Sequence, residues 1–352
     1  LPAADRLPDT LGDLAGERAG AVGGAYTEGT IELVPGELFL TLGARVDVYH
    51  SNGITVVGFD PRASLRYLPT SFLGLRASFG LYQQPPSFPV PLPGLDTFAL
   101  QLGLQSAVHA TTGIDLHLPL SIEAGLTGYF QLYRNASEFN LNDLVLPNLT
   151  QNPLAAASPD TVVLFSSLAC ASPPPPQLAG TAAQAVRPVD GQSYGMEVSL
   201  RRDTPRMRLW LSYTLGRAER RFPCGLRPGD FDQPHALNLV AQVRLPWKLM
   251  AGARLLIQSG RPATALEAPD GRGTLRNNAR LPTTVQLDLR VGREWVFRSF
   301  TLGAFIEVIN ANFGQLVLGL TYPVRNGMPI YSEPAPNGFP WLLPTFGVNA
   351  RF

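Results

Sequence analysis

The chain has 352 residues, 45% of them hydrophobic and only 16% charged, where soluble domains carry about 25% charged residues. A formal net charge of +1 gives no electrostatic basis for a nucleic-acid partner. No run of about 20 apolar residues occurs, so no transmembrane helix is expected, and residues 1–18 lack the basic-then-apolar pattern of a signal peptide. With 34 glycines and 33 prolines, many turns are favoured over long helices. Two architectures remain: an all-β soluble protein with a large core, or a β-barrel whose apolar residues face lipid.

Two-residue periodicity decides between them. In the first clear run, Leu38, Leu40, Leu42, Ala44, Val46 and Val48 alternate with Thr41, Gly43, Arg45, Asp47 and Tyr49. Next, Leu73, Leu75, Ala77, Phe79 and Leu81 alternate with Gly74, Arg76, Ser78 and Gly80. The pattern returns with Leu120, Ile122, Ala124 and Leu126 against Ser121, Glu123 and Thr127. Near the C-terminus, Val285, Leu287, Leu289 and Val291 oppose Gln286, Asp288 and Arg290, and Leu302, Ala304, Ile306 and Val308 oppose Gly303 and Glu307. Several runs reach 12 residues or more. Soluble strands average about 5–6 residues, whereas a tilted strand crossing a bilayer needs about 9–11.

Short and long connections alternate, as they do in outer-membrane barrels. Short turns fall near Pro35-Gly36, Pro69-Thr70, Pro119, Asp203-Thr204-Pro205, Pro246-Trp247 and Arg298-Ser299. Long connections cover 83–96, 135–191, 220–231, 261–280 and 312–342, and are expected to be extracellular. In the last run, Phe346, Val348, Ala350 and Phe352 make one apolar face ending on an aromatic residue.

The expected fold is therefore all-β: an antiparallel transmembrane barrel of about 13–14 strands, or the C-terminal part of a 22-stranded barrel. Strands are expected near 19–34, 37–50, 57–68, 72–83, 97–116, 119–134, 192–203, 205–219, 233–245, 247–260, 283–297, 299–311 and 343–352. Residues 19–352 would form the barrel region, and residues 1–18 an extracellular or disordered segment. Gln315 to Tyr322 also alternates and is a candidate further strand.

Chemical motifs are few. The histidines His50, His109, His117 and His235 have no metal-ligand spacing, and no phosphate loop or nucleotide fingerprint occurs. No catalytic, metal or cofactor residue is expected. Arg45, Asp47, Arg62, Arg66, Arg76, Glu123, Arg290 and Glu307 fall on the polar faces of their runs. They are expected to face the lumen, mixing both signs and pairing across strands.

Several stretches resemble TonB-dependent receptors. Asp60-Pro61-Arg62-Ala63-Ser64-Leu65-Arg66-Tyr67 is similar to one family strand, and Ala77-Ser78-Phe79-Gly80-Leu81-Tyr82-Gln83-Gln84-Pro85-Pro86 to the next. Phe231-Asp232-Gln233-Pro234-His235-Ala236-Leu237-Asn238 resembles the start of a later strand, and Ser259-Gly260-Arg261-Pro262 a strand end. Leu287-Asp288-Leu289-Arg290-Val291 with Phe305 to Asn310 resembles a family hairpin, and the shared order covers roughly 57–352. The resemblance implies an outer-membrane transport protein for a scarce solute of the siderophore, vitamin or glycan class. Alternatives are a passive porin-like or adhesin barrel and an outer-membrane enzyme. Implied partners are outer-membrane lipid, the barrel-insertion machinery reading Phe352, a small solute and, if a longer parent chain exists, a plug domain and TonB. The family's 22 strands and plug are not both accommodated by about 13 strands.

Cys170 and Cys224, the only cysteines, fall in two long connections expected on the same side. An oxidising route to that side makes a Cys170–Cys224 disulfide the expectation.

Overall fold

The structure, a computed structural model, describes residues 20–51, 53–85, 100, 103–139, 186–223, 225–265, 277–325, 328–329 and 334–351. Cys170, Cys224 and Phe352 lie outside the described residues, as do 1–19 and most of the expected 83–96 and 135–191 connections.

In chain order the strands are β1 (Gly20–Val34), β2 (Leu38–Ser51), β3 (Ile54–Thr70), β4 (Leu73–Gln84), β5 (Gln105–Leu118), β6 (Ile122–Phe139) and β7 (Val186–Asp203). They continue with β8 (Met207–Phe222), β9 (Gly225–Pro228), β10 (His235–Arg244), β11 (Leu249–Gln258), β12 (Pro262–Ala263), β13 (Ala279–Arg280), β14 (Thr284–Val296) and β15 (Thr301–Ile309). The last are β16 (Gln315–Thr321), β17 (Val324–Arg325), β18 (Met328–Pro329), β19 (Ala335–Pro340) and β20 (Leu343–Arg351).

The main sheet is antiparallel throughout and runs β1-β2-β3-β4-β5-β6-β7-β8-β10-β11-β14-β15-β20, with β9 folded back on β8. Each of these strands pairs with the next one in that series. Among the described residues, the outer edges of β1 and β20 carry no strand.

Side-chain sorting follows from the pairing registers. Val46 of β2 pairs with Phe59 of β3, and Leu65 of β3 with Ala77 of β4. Leu289 pairs with Val308 and with Ala253, and Phe346 pairs with Ile306. Apolar residues thus meet apolar residues on one face, as cross-strand packing favours. They are not covered: Phe79 is 58% exposed, Ile306 66% and Phe346 85%. An uncovered apolar face of this extent suits hydrocarbon as its solvent. Only Leu100, Val189 and Phe222 are buried hydrophobic residues among those described, so no conventional core holds the sheet together.

Connections at one end are tight. Pro35-Gly36-Glu37 turns with Gly36 at φ 73°, a conformation a side chain resists. Trp247 and Lys248 form another tip, at φ 62° and 58°. Longer connections lie at the opposite end, several with structure of their own; the link between β2 and β3 departs from the expected alternation, since Ser51 and Ile54 leave only two residues between them at that end. β12 pairs β13, and β16 pairs β19 as a separate two-stranded ribbon. Gln315 to Tyr322 is therefore largely strand, as its alternation implies, but it adds nothing to the main sheet. Its partner is Ala335–Pro340 within the same connection.

Leu255 and Leu256 are adjacent and belong to opposite faces: Leu255 pairs with Leu239 and Leu287, Leu256 with Asn238 and Gln286. Leu255→Arg is expected to cost about 2–4 kcal/mol of folding stability in a bilayer, as arginine does at lipid-facing sites, and Leu256→Arg much less. Denaturant titration of the two variants in lipid vesicles measures this; equal losses would contradict the sorting.

Candidate functional site: the charged face of the sheet

The opposite face gathers the charges. All eight residues expected on one surface share it by register. Arg45 and Asp47 sit on β2, with Gly43 of the same face opposite Arg62 of β3. Arg66 pairs with Arg76, and Arg76 with Gly113. Glu123 pairs with His117 and Arg201. Arg290 pairs with Glu307.

Ion pairs tie this face along and across strands. Arg45 Nε donates to Asp47 at 2.5 Å, and Arg62 lies 2.7 Å from Glu28 of β1. Arg76 sits 3.5 Å from Asp115 and donates to Thr127 Oγ1 at 2.6 Å, reaching across β5 to β6. Arg290 lies 3.6 Å from Glu307, with its guanidinium 3.6 Å above the Phe305 ring. Arg201 and Arg208 share Asp203, at 3.5 and 3.2 Å. Most of these side chains are about half exposed, so their worth lies in fixing geometry more than in stability.

Glycines give the long side chains room to lie flat. A Cβ on Gly43 would stand 2.9 Å from Arg62 Nε, and one on Gly113 would stand 2.6 Å from Arg76 Nε. Tyr129 of β6 extends over two strands at once: Gly195 of β7 and Gly216 of β8 lie in its row. Its hydroxyl would contact a Cβ at either position. Near the loop end, Tyr82 packs on His109 with ring centres 4.8 Å apart, and His109 meets the edge of Tyr133 at 6.4 Å. Arg220 sits 5.2 Å from the centre of the Tyr133 ring.

Below this aromatic group the face hollows into a recess of about 1000 Å³, bordered by Arg66, Arg76, Asp115, Glu123, Arg201 and Arg208. Among the described residues, no group of three His, Cys, Asp or Glu side chains could hold a metal ion.

The loop end is anchored by residues that no spacing in the sequence singles out for this role. Asp232, only 1% exposed, accepts from the Ala218 amide at 2.6 Å and pairs with Arg280. Arg280 also donates to the Asp232 carbonyl at 2.7 Å. Asn277 donates to the Pro228 carbonyl at 2.7 Å and to Asp230 at 2.9 Å. The buried Asn310 donates from its amide to Asp288 and from its side chain to the Gly314 and Trp341 carbonyls. These bonds join the connections after β8, β11 and β15 to the ends of the strands.

Comparison with known proteins agrees with this geometry. The family profile described as "TonB dependent receptor-like, beta-barrel" matches residues 6–311. The chain therefore belongs to the TonB-dependent receptor β-barrel family, whose members are outer-membrane proteins and not enzymes. Solved structures share the fold. The ferripyoverdine receptor of Pseudomonas aeruginosa, bound to ferripyoverdine, has a TM-score of 0.61 at 16% identity, over 94% of this chain and 39% of the receptor. The ferric citrate transporter FecA, unliganded, gives 0.60 at 16%, over 94% and 45%. The ferric-catecholate import receptor Fiu of E. coli gives 0.57 at 14%, over 94% and 45%. The chain thus spans less than half the length of these receptors. No curated protein sequence matches it.

Gly216→Ala places a methyl against the Tyr129 hydroxyl. It is expected to destabilise the barrel by about 1–3 kcal/mol, as overpacking does. Tyr129→Phe in the same chain removes the clashing oxygen and should recover most of that loss, read as the unfolding midpoint in denaturant.

Proposed function

We propose that this chain is the C-terminal part of the barrel of an active outer-membrane transporter for a scarce solute of the siderophore, vitamin or glycan class. One observation carries the reading: thirteen successively paired strands present an uncovered apolar face on one side and a charged, glycine-paved face on the other. The apolar face contacts lipid, and the charged face, with Arg45, Asp47, Arg62, Arg66, Arg76, Glu123, Arg290 and Glu307, lines the lumen. The short turns face the periplasm and the long connections the exterior. The fixed ion pairs offer a polar wall against which a plug domain docks in the longer parent protein, with TonB supplying energy. Solute recognition falls to the loop end, where Tyr82, His109, Tyr133 and Arg220 gather.

Uptake separates this from a passive channel. Cells limited for iron, and carrying the intact gene as their only such receptor, are given radiolabelled ferric chelates, cobalamin or oligosaccharides. Accumulation of one class, abolished by a protonophore, is expected. Uptake of all classes in proportion to concentration, indifferent to the protonophore, would make the barrel a passive pore.

Cys170 and Cys224 are proposed to form a disulfide that pins the longest connection over the barrel mouth. In the chain-entropy model, a loop of this length contributes roughly 4 kcal/mol. Thiol titration in denaturant without reductant should find no free thiol, and two free thiols would overturn the pairing.

A further inference from the structure

Between the strand ends, the apolar face of the main sheet carries no Asp, Glu, Lys or Arg among the described residues. At its loop end it carries Arg134, Arg217, Glu219 and Arg221. At its turn end it carries two arginines, Arg202 of β7 and Arg293 of β14, and no acid. Arg202 pairs with Ile122 and Leu209, and Arg293 with Leu249 and Ala304. Neither has a carboxylate across the strand. The acids next in sequence, Asp203 and Glu294, fall on the charged face, opposite Arg208 and Gly303.

A second observation sets these two apart. The Nε atoms of Arg202 and Arg293, two half-buried side chains, are covered and without a hydrogen-bond partner. A charged donor taken out of water needs an acceptor, since leaving it unmet is costly. The surroundings of Arg293 say which acceptor, and Arg202 lies on the same face at the same end of the sheet. The Arg293 guanidinium lies 5.3 Å from the centre of the Trp295 ring on the same face. The adjoining turn presents Trp247, 78% exposed, beside Lys248. Both are held at positive φ, a conformation costly for side chains of this size. Phe297 and Phe300 stack with ring centres 4.6 Å apart at the next turn. Aromatic side chains grouped with cations at the rim of an apolar belt mark the depth of lipid headgroups. The anion abundant at that depth is the phosphodiester of a phospholipid, and a guanidinium fits two of its oxygens at once.

We propose that Arg202 and Arg293 are two phospholipid-binding sites, each holding a headgroup phosphate in the leaflet at the short-turn end. The inference rests on the reading above that the apolar face contacts lipid. On binding, each side chain turns outward so that its guanidinium, Nε included, donates to the phosphate and its hydrogen bonding is completed. The bound lipids also fix the height of the barrel in the bilayer at two places well separated around the sheet, on β7 and on β14.

The test uses the protein in its full natural length, purified from outer membranes and exchanged into phosphatidylglycerol-containing nanodiscs. Retained phosphatidylglycerol is then counted by native mass spectrometry. Arg202→Gln and Arg293→Gln should each lower total retention by a little under half, because the other site is intact, and the double variant about fivefold, in line with the attraction of a single basic residue for anionic lipid. Arg217→Gln, at the loop end of the same face, should leave retention unchanged. Undiminished retention in a double variant that still resists heat unfolding in detergent would overturn the proposal. So would displacement of the lipid by millimolar inorganic phosphate, which would mark general anion sites instead. A spin label at Leu255→Cys separates the two levels of inference. Oxygen accessibility typical of lipid, with unchanged lipid retention, defeats the headgroup sites alone. Accessibility typical of water defeats the lipid-facing reading beneath them.

Discussion

Backbone hydrogen bonding in hydrocarbon is the constraint on which everything else here depends. A strand in a bilayer has no water to satisfy its amides and carbonyls, so a neighbouring strand must do so along its whole length. This is why β2 and β3 pair without interruption from Leu38↔Tyr67 to Ser51↔Ile54, and why β4 pairs with β5 over its full length. Among the described residues of the main sheet, irregular backbone falls toward the two ends, as at Asn135 in the outer part of β6. Once pairing is complete, side-chain identity follows from a period of two, and a slip of one residue would turn every apolar side chain inward. Leu255 and Leu256 show how little local chemistry decides: identical neighbours, one on the lipid side and one on the charged side.

Pairing is a local consequence of order along the chain, and the order was legible. Alternation marks all thirteen strands of the main sheet, with most bounds within a few residues. It fails where the backbone breaks the period. The strand expected from 97 begins only at Gln105, behind Gly103 at φ 80°. The strands expected to end at 134 and to begin at 192 pair on to Phe139 and Val186, past a register shift between Tyr133 and Ala136. Asn135 has φ 57° there, so a reading by period two stops too early. β16 is a different case. Alternation reports that a segment is extended and two-sided; it does not report the partner.

The charged face divides in the same way. That Arg45, Arg76, Arg290 and Glu307 share a surface follows from parity alone. What each touches does not, because partners lie on other strands. Tyr129 and Gly216 are 87 positions apart in the numbering, and only the register brings them into one row. Asp232 is visible as part of a family-like stretch, yet its tie to Arg280 spans a connection whose path no local pattern encodes. Asn310 gives no signal beyond its amide, which favours left-handed backbone at a turn.

The glycines opposite Arg62, Arg76 and Tyr129 have a geometric consequence. Side chains that lie along this face rise little above it, so its relief is set by the backbone of the sheet. Replacing one such glycine would stand a side chain upright and raise the face locally, with the strand order unchanged. A sheet built this way can alter its charged face one row at a time, by single substitutions, while the opposite, apolar face stays as it was.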